Sequence, residues 1–343
     1  MNILVTGGAG YIGSHTLVEL LAAGHGAVCV DDLSNSSEEA VIRAGKIAGK
    51  DIPFYKADIR DRSALDKIFS ENHIDCVIHF AGFKAVGESM IKPWEYYENN
   101  LMGTLTLTDV MRRHGCKRLI FSSTSTVYGD PEILPIREDA PKGNCANAYA
   151  RTKWFQEEIL RDLCAADLRN GDPDPWGIVI LRYFNPIGAH PSGLIGEDPR
   201  GIPNGLMPYI TQVAVGRLEK LTVFGSDYDT PDGTGIRDYI HVCDLANGHV
   251  AVLSALKAGS VIDYNLGTGR GYTVLEIVRA FEAANGIEIP YVFGPRRPGD
   301  IAAYWSDPSK IERELGWKAE KDLEDMCRDS WNWQKKNPEG YGR

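Results

Sequence analysis

Short hydrophobic runs alternate with longer segments of helical periodicity over the first half of this 343-residue chain. Each run has the length of a buried strand, and the segments between the runs are long enough for helices, as Tyr11–Ala23 illustrates. Alternation of this kind is typical of a parallel sheet with helices on both faces. The pattern therefore predicts an α/β fold with a doubly wound parallel sheet, whose strands are Asn2–Thr6, Ala27–Asp31, Pro53–Ala57, Cys76–His79, Arg118–Ser122 and Ile178–Tyr183.

The pattern changes at Asn185, after which proline and glycine recur every few positions. Such punctuation marks turns and short elements. We therefore expect a first domain over residues 1–185 and a smaller C-terminal α/β domain over residues 186–343. Residues 238–258 have the pattern of a strand and a helix, which leaves open a short return to the first domain.

A glycine cluster directly follows the first predicted strand. It can be written as Gly8-x-Gly10-x-x-Gly13 or as Gly7-x-x-Gly10-x-x-Gly13. A tight turn without Cβ atoms lets a pyrophosphate approach the backbone N–H groups at a helix N-terminus. Because an apolar strand precedes the cluster and a helical pattern follows it, the cluster favours a Rossmann-like dinucleotide site over an ordinary glycine turn.

Acidic residues follow the second and third predicted strands. Asp31 and Asp32 lie where a carboxylate accepts hydrogen bonds from the adenosine ribose hydroxyls, and a carboxylate there repels a 2′-phosphate, which favours NAD over NADP. Asp58 could accept a hydrogen bond from the adenine amino group. It could equally be the N-cap of a helix over Ser63–Asn72.

Small residues follow the fourth predicted strand. Phe80, Ala81 and Gly82 would let the backbone pass close to a cofactor. Lys84, just after them, could reach a ribose hydroxyl or a phosphate.

Tyr149 and Lys153 are one helical turn apart and share a face of a predicted helix. An ammonium group about 4 Å from a phenol, at an effective dielectric near 20, lowers the phenol pKa by about three units. Burial raises the phenol pKa and a positively charged nicotinamide lowers it further, so we expect that Tyr149 can ionise to a phenolate near neutral pH. Thr124, just past the fifth predicted strand, offers a hydroxyl to hold or relay the proton. The pair alone would be more typical of an exposed surface, but the glycine cluster favours catalysis.

Composition narrows the class of protein. The net charge of −10, with no block of Lys and Arg, argues against a nucleic-acid surface. The seven cysteines include no CxxC pair, the glycine cluster leaves no room for a signal peptide, and no apolar run reaches transmembrane length, so we expect a cytoplasmic protein with reduced thiols. The eight histidines lack metal-ligand spacing, so we expect no metal site; His79 is most simply a core side chain.

Longer motifs cover nearly the whole chain, and on them the sequence resembles the extended short-chain dehydrogenase/reductase family, also called NAD-dependent epimerases/dehydratases. The resemblance implies an isomerisation that uses tightly held NAD as a transient oxidant at the sugar C4, through a 4-keto sugar, to interconvert UDP-galactose and UDP-glucose. The motifs are GGAGYIGSH from Gly7, HFAGFKAVGES from His79, FSSTSTVYGD from Phe121, LRYFNPIGAHPSG from Leu181, GEDPRGIPNGLMPYI from Gly196, DGTGIRDYIHV from Asp232, YNLGTG from Tyr264 and RRPGD from Arg296.

The resemblance also implies roles for individual residues. Tyr149 would take the proton from the sugar 4-hydroxyl, Lys153 would hold the phenolate and the nicotinamide ribose, and Thr124 would bond the 4-oxygen. The implied cofactor contacts are Gly7, Gly10, Tyr11, Ile12, Gly13, Asp31, Asp32, Leu33, Ser34, Asn35, Ser36, Asp58, Ile59, Phe80, Ala81, Gly82, Phe83, Lys84, Asn99, Ser122, Thr124, Tyr149, Lys153 and Phe184. The implied UDP-sugar contacts are Thr126, Tyr149, Tyr183, Asn185, Gly205, Leu206, Thr222, Phe224, Arg237, Arg297, Asp300 and Tyr304.

The chain departs from the family pattern at four places. Thr124 stands where the family usually has Ser, Ala148 and Ala150 replace Pro and Gly around the tyrosine, Asp32 replaces a common Asn, and Gly205 replaces an Asn that touches the diphosphate. Tyr304 matches the position that bounds the sugar pocket beside the 2-substituent, which implies a preference for UDP-glucose and UDP-galactose over their N-acetyl counterparts.

Other functions stay open to different degrees. A 4,6-dehydratase would need an Asp and a Glu where Ser125 and Thr126 stand. Epimerisation of a UDP-uronate or N-acetylhexosamine, and a catalytically silent NAD-binding sensor, remain alternatives. Relatives commonly form homodimers through two helices, and the apolar content of Tyr96–Met111 and Phe155–Leu163 allows this, although burial within the same subunit explains many of the same residues.

Overall fold

The computed structural model describes residues 1–297 and 299–342, which contain thirteen strands and twelve α-helices. The strands are β1 (Asn2–Thr6), β2 (Gly26–Asp31), β3 (Phe54–Lys56), β4 (Cys76–His79), β5 (Arg118–Thr124), β6 (Gly177–Tyr183), β7 (Asn185–Ile187), β8 (Leu221–Phe224), β9 (Ile236–His241), β10 (Ser260–Leu266), β11 (Gly271–Thr273), β12 (Tyr291–Gly294) and β13 (Ala303–Tyr304).

The helices include one long element, α7, that carries the predicted catalytic pair. They are α1 (Tyr11–Ala22), α2 (Glu38–Ala48), α3 (Arg62–Glu71), α4 (Val86–Ile91), α5 (Pro93–Tyr97), α6 (Gly103–Arg113), α7 (Ala148–Arg169), α8 (Leu206–Ala214), α9 (Val242–Ala251), α10 (Val274–Asn285), α11 (Ser309–Leu315) and α12 (Leu323–Lys336), with a π-helical turn at Glu98–Met102 and 3₁₀ turns at Ser125–Tyr128 and Val252–Ala255. No helix among the described residues is both long and apolar enough to cross a membrane.

The chain divides into two compact units. The first comprises Met1–Gly129, Glu138–Tyr183 and Ala246–Tyr264, and the second comprises Asp130–Arg137, Phe184–Leu245 and the described residues from Asn265 onward. The segment that returns to the first unit is thus 246–264 rather than about 238–258, and residues 130–137 belong to the second unit. The ligand that each unit binds stays a prediction.

The first unit is built on a seven-stranded sheet in the order β10-β6-β5-β4-β1-β2-β3. The registers between β3 and β2, β2 and β1, β1 and β4, β4 and β5, and β5 and β6 are parallel, which confirms the predicted doubly wound α/β fold. The strand order reverses beside β1, and the crevice at such a switch point is where these sheets bind ligands. Gly7 follows β1 and Phe80 follows β4, so both lie at this point.

The core of the first unit explains why its strands could be recognised as continuous apolar runs. Strands β4, β5 and β6 are buried on both faces, and every residue of β4 and β6 is buried. Leu65 of α3, Leu107 of α6 and Leu160 of α7 pack against this sheet. Full burial of each such side chain contributes about 1.5–3 kcal/mol.

The second unit has a four-stranded sheet, in which β11, β9 and β13 are consecutive and β7 pairs with β9, and a separate two-stranded sheet of β12 and β8. Helices α8, α10 and α12 supply its core, where Ile210, Phe281 and Met326 are almost fully buried. Helix α10 starts with a capping box, in which the Thr273 hydroxyl accepts from the Glu276 amide and the Glu276 carboxylate accepts from the Thr273 amide.

Candidate active site

The glycine turn after β1 has no space for side chains. Gly7 has a φ of 69°, and a Cβ there would lie 2.7 Å from the Ala81 amide nitrogen, while a Cβ at Gly13 would collide with the Gly7 carbonyl oxygen. Gly10 is the N-cap of α1 and provides no side-chain cap. The helix N-terminus therefore meets a backbone surface that an anionic group can approach closely.

Asp31 ties this turn to the end of β2. Its buried carboxylate accepts hydrogen bonds from the Ala9 amide at 3.0 Å, the Leu33 amide at 2.9 Å and the Ser36 hydroxyl at 2.6 Å. Burial raises the pKa of Asp31, and these hydrogen bonds oppose the rise. Leu33 has a φ of 62°, a left-handed conformation that is uncommon outside glycine. A carboxylate can accept about four hydrogen bonds, so these three bonds leave Asp31 able to accept another.

Asp58 is not a helix cap. The N-cap of α3 is Asp61, whose carboxylate accepts from the Ala64 amide at 3.1 Å, so the capping alternative for Asp58 is wrong. Asp58 instead pairs with the guanidinium of Arg60 at 2.6 Å, and hydrogen bonds from Arg60 lower the Asp58 pKa. Ile59, the next residue, is buried against Gly103.

The loop after β4 is held by Asn100. The fully buried Asn100 side chain accepts from the Phe83 amide at 2.8 Å and donates to the Phe83 carbonyl at 3.1 Å and to the Thr152 hydroxyl at 2.9 Å. Asn99 donates to the Asn100 side chain at 3.2 Å. Both amides lie in the π-helical turn, a distortion that is frequent at functional sites.

The structure brings the three predicted catalytic residues together in the first unit. Asn147 caps α7 by accepting from the Ala150 amide at 2.8 Å, which places Tyr149 in the first turn. Thr124 lies close enough to the Tyr149 phenol to lower its pKa, and the Thr124 hydroxyl lies 3.0 Å from the Thr126 hydroxyl. Thr124 is the last residue of β5 rather than a residue past its end, because the strand's pairing with β6 continues to this point.

Lys153 lies one turn below Tyr149 and is buried. Its ammonium donates to the Ser122 carbonyl at 2.7 Å and lies 4.8 Å from the centre of the Phe121 ring. Burial lowers the Lys153 pKa to about 7, while the Glu157 charge opposes this shift. Burial also raises the Tyr149 pKa to about 12, with the Thr124 hydrogen bond opposing it. A phenolate near neutral pH is therefore not a property of these side chains alone and needs a further positive charge nearby.

Tyr183 lies beside Thr124 on the neighbouring strand β6. Its hydroxyl hydrogen-bonds to the fully buried His249. Burial raises the Tyr183 pKa, and the Ser122 side chain opposes the rise. The His249 ring also packs on Phe80, with ring centres 4.8 Å apart. Two residues from different strand ends, Tyr183 and Phe80, are thus fixed by one histidine.

In the second unit, Asp300 bridges the two predicted arginines. Its carboxylate is 3.2 Å from an Arg237 guanidinium nitrogen and 3.0 Å from one of Arg297. The Arg297 guanidinium lies 5.1 Å from the centre of the Phe224 ring, at the end of β8, which also carries Thr222. The Asp300 carboxylate therefore holds both arginines in one cluster.

The other predicted substrate residues of this unit lie on its four-stranded sheet and on α8. Tyr304 of β13 pairs in register with Arg237, and its buried ring contacts Phe184 with centres 5.5 Å apart. Asn185 begins β7, and Leu206 begins α8 after its N-cap Gly205, which provides no side-chain cap. Asp32, whose carboxylate accepts from the Ser34 amide at 2.8 Å, lies with Asn35 in the loop after β2 in the first unit.

Comparison with known proteins assigns the chain to a family. The sequence model of the NAD dependent epimerase/dehydratase family matches residues 3–267. The chain belongs to this family. A curated relative, the UDP-glucose 4-epimerase of Bacillus subtilis (strain 168), is 59% identical over 342 residues, 99% of each chain. The UDP-glucose 4-epimerase of Bos taurus is 54% identical over 349 residues, 99% of this chain and 98% of the relative.

A solved structure agrees with the sequence relatives. The UDP-glucose 4-epimerase from Bifidobacterium longum, in complex with NAD⁺ and UDP, has a TM-score of 0.94 at 56% identity, and the match covers 99% of this chain and 100% of that chain. Like the family, the chain uses NAD. The residues of the first unit fit that cofactor: glycines that cannot carry a Cβ stand at an uncapped helix N-terminus, and a buried carboxylate ends β2.

Sequence inspection of this family member missed several residues that hold the site. Asn100 could have been recognised from the sequence, since it follows Asn99 in a helical segment and two adjacent side-chain amides are unusual there. Glu157 could also have been recognised, because it lies on the same helix face as Tyr149 and Lys153, one turn further on. No sequence pattern indicates the role of His249, because its partner Tyr183 lies 66 positions away.

Proposed function

We propose that the protein is a UDP-glucose 4-epimerase that interconverts UDP-galactose and UDP-glucose. One observation carries the proposal most: in a chain 54–59% identical to curated UDP-glucose 4-epimerases, the Tyr149 phenol lies beside Thr124, and Lys153 is buried one turn further along α7. Oxidation of a sugar hydroxyl requires a group that carries the proton, a hydroxyl that holds the oxygen and a nearby cation; Tyr149, Thr124 and Lys153 provide these three groups.

The first unit carries out the chemistry. NAD, when bound, supplies the reversible redox step at the sugar C4. Tyr149 removes the proton from the 4-hydroxyl and later returns it, and Thr124 holds the 4-oxygen. The Lys153 ammonium, together with the positive charge of the oxidised nicotinamide, favours the Tyr149 phenolate. Gly7, Gly13 and the first turn of α1 hold the pyrophosphate.

The second unit binds the UDP portion. Arg237 and Arg297 bind the diphosphate, and Asp300 keeps both guanidinium groups in place, as their contacts support. Phe224 and Leu206 flank the uracil, while Asn185 and Thr222 add polar contacts to the substrate. Tight binding of the nucleotide with few bonds to the sugar would let the 4-keto sugar turn over and be reduced on its other face.

The protein acts in the cytoplasm as a homodimer. The cytoplasmic location is supported by the cysteines, all seven of which are buried outside any disulfide in the described chain. The dimer is supported by large apolar side chains exposed on the two predicted helical segments, where Met102, Leu105 and Phe155 are each 42–49% exposed. Leu107 and Val110 of the same segment are fully buried, as the alternative interpretation expects.

Sedimentation velocity tests the dimer. We expect Leu105→Glu to convert a dimer into a monomer, because the interface would have to bury a charge. Ile42→Glu, at an apolar residue of α2 that is 59% exposed, is the matched control and should stay dimeric. A monomeric wild-type protein would refute the dimer.

The function is tested with purified protein, UDP-galactose and no added cofactor. UDP-glucose should form, and the denatured protein should release about one NAD per chain, as a bound-cofactor epimerase requires. If NAD is released but neither epimer interconverts, the proposed substrate is wrong, and UDP-uronates and UDP-N-acetylhexosamines are the compounds to assay next.

A further inference from the structure

A buried carboxylate continues the catalytic face of α7. Glu157 follows Lys153 by one turn and Tyr149 by two, and its side chain has no exposed surface. It accepts hydrogen bonds from the Ser123 hydroxyl at 2.5 Å and from Nε and Nη2 of Arg182 at 3.0 and 2.6 Å. The helix is thereby tied to β5 through Ser123 and to β6 through Arg182.

Arg182 is equally buried and has further partners in the first unit. Nη2 also bonds to the Asp263 carboxylate at 2.8 Å, and Nη1 bonds to the Tyr128 hydroxyl at 2.9 Å. Arg161, which is partly exposed, pairs with Asp263 at 2.6 Å and lies 3.7 Å from the Glu157 carboxylate. A buried ion pair of this kind costs a large desolvation energy and is often no more stabilising than apolar side chains of equal volume. Its contribution to stability therefore does not by itself explain its presence.

The strand residues that Glu157 fixes adjoin the catalytic groups. Ser123 lies between Ser122, whose carbonyl accepts from the Lys153 ammonium, and Thr124, which lies beside the Tyr149 phenol. Arg182 directly precedes Tyr183, and the pairs Ser123–Arg182 and Thr124–Tyr183 are consecutive in the sheet register. The Glu157 carboxylate thus fixes the position of α7 relative to the ends of β5 and β6. A displacement of catalytic groups by about 1 Å can lower the rate of a reaction about 10²-fold.

Glu157 also supplies negative charge close to Lys153. Among the described residues, Glu157 of the same helix and His79 of β4 interact electrostatically with Lys153, and Tyr149 lies one turn before Lys153 on α7. Burial favours the neutral amine of Lys153, and a carboxylate one turn away favours the ammonium.

We propose that Glu157 is a positioning residue for the reaction: through Ser123 and Arg182 it fixes the catalytic helix against β5 and β6, and its charge favours the ammonium form of Lys153. The role of Lys153 in the reaction rests on the proposed function, whereas the effect of Glu157 on Lys153 does not.

The first test is the titration of Lys153 in the holoenzyme. The protein is labelled with ¹³C-lysine, and the Lys153 signal is assigned by its loss in Lys153→Met. We expect Glu157→Gln to lower the Lys153 pKa by roughly one unit or more, because it removes the charge while keeping the size of the side chain. Glu157→Asp, which keeps the charge, should stay within about half a unit of wild type. An unchanged titration in Glu157→Gln, or an equal shift in Glu157→Asp, would overturn the proposal.

The matched control is Asp263→Asn, which removes the other carboxylate that binds Arg182. It should leave the Lys153 titration and the kcat for UDP-galactose at wild-type values, whereas Glu157→Gln should lower kcat at pH about 8 by roughly tenfold or more with KM changed less than about twofold. Equal effects of the two variants would show that the network acts only through stability, and would contradict the proposal.

These experiments distinguish failure of the proposed function from failure of the inference about Glu157. If wild type does not epimerise UDP-galactose, the proposed function fails, but the Lys153 titration still decides the inference. If Glu157→Gln does not fold, the double variant Glu157→Gln/Arg182→Met removes the unpaired buried cation and should fold, since apolar replacement of a buried ion pair is often tolerated. Its Lys153 pKa should be lowered as in the single variant, and a wild-type titration in it would overturn the proposal.

Discussion

At the scale of a single residue, the Tyr149 hydroxyl is the group proposed to exchange a proton with the sugar. Tyr149→Phe keeps the ring and removes this oxygen, so the fold and the NAD content should be retained. We expect kcat for UDP-galactose to fall by roughly 10²–10⁴-fold, the usual contribution of a positioned acid–base group. Steady-state kinetics and NAD assay of the denatured variant measure the two effects.

Tyr55→Phe is the control for this substitution. The Tyr55 hydroxyl bonds to the Glu71 carboxylate at 2.9 Å on the surface of the first unit, so its loss should leave kcat unchanged. A Tyr149→Phe protein that keeps kcat within about tenfold of wild type would show that another group carries the proton.

Tyr304 is the residue that we expect to limit which sugars the protein accepts. Its ring is 6% exposed and packs on Phe184, so a smaller side chain opens space at this position. We expect Tyr304→Cys to gain turnover of UDP-N-acetylgalactosamine while it keeps turnover of UDP-galactose, measured as kcat/KM for both. Tyr304→Phe keeps the ring and should stay selective. A Tyr304→Cys protein that is active on UDP-galactose but gains nothing on the N-acetyl sugar contradicts this role.

At the scale of an element, we expect the cap of α7 to affect both stability and activity. Asn147 accepts from the Ala150 amide and so fixes the turn that contains Tyr149. Asn147→Ala should lower the free energy of unfolding by about 1 kcal/mol, the usual value of an N-cap. It should also lower kcat, because the first turn of the catalytic helix then frays. Urea unfolding and steady-state kinetics measure the two changes.

Asp322→Ala removes an equivalent cap from α12, where the carboxylate accepts from the Asp325 amide at 2.9 Å. The stability loss should be similar, but kcat should match wild type, since α12 carries none of the proposed catalytic residues. If the two variants lose activity equally, the effect of Asn147 is on stability alone.

Elements of the first unit could be predicted because buried parallel strands are continuous apolar runs. β1 and β4 have the predicted bounds, whereas β5 extends through Ser123 and Thr124, whose polar side chains gave no strand signal. Short strands such as β7 and β13 owe their conformation to pairing with β9 and have no pattern of their own. At the site, spacing within one helix predicted the Tyr149–Lys153 pair. The groups that hold it come from distant parts of the chain, which spacing cannot reveal.

At the scale of the whole molecule, the overall charge is negative although the proposed substrate site contains a cluster of positive charges. The chain has a net charge of −10, yet the proposed substrate is a dianion. Local cations must therefore outweigh the overall repulsion, and Arg237 and Arg297 are held together by one shared carboxylate. Within the first unit, the buried charges of Arg182 and Glu157 compensate each other where water cannot, while Asp263 pairs with both Arg182 and Arg161.

The stability of the protein should depend on pH through His79. This side chain is fully buried between the Thr6 and Thr104 hydroxyls, at 2.7 and 2.9 Å, and burial, with the Lys153 charge, lowers its pKa to about 3. Below the unfolded-state pKa of about 6.5 the unfolded chain binds a proton that the folded chain does not, so the free energy of unfolding falls by up to about 1.4 kcal/mol per pH unit. This loss continues as the pH falls toward the folded-state pKa.

Urea unfolding at several pH values from about 7.5 to 4.5 measures the slope. His79→Gln keeps hydrogen-bonding capacity but does not titrate, so its stability should fall less steeply than that of wild type over this range. The exposed His73 offers the control, since its side chain is 92% exposed and His73→Gln should reproduce the wild-type slope. If His79→Gln and wild type have the same slope, the acid sensitivity of the fold arises from other groups, and the buried neutral state of His79 does not contribute to it.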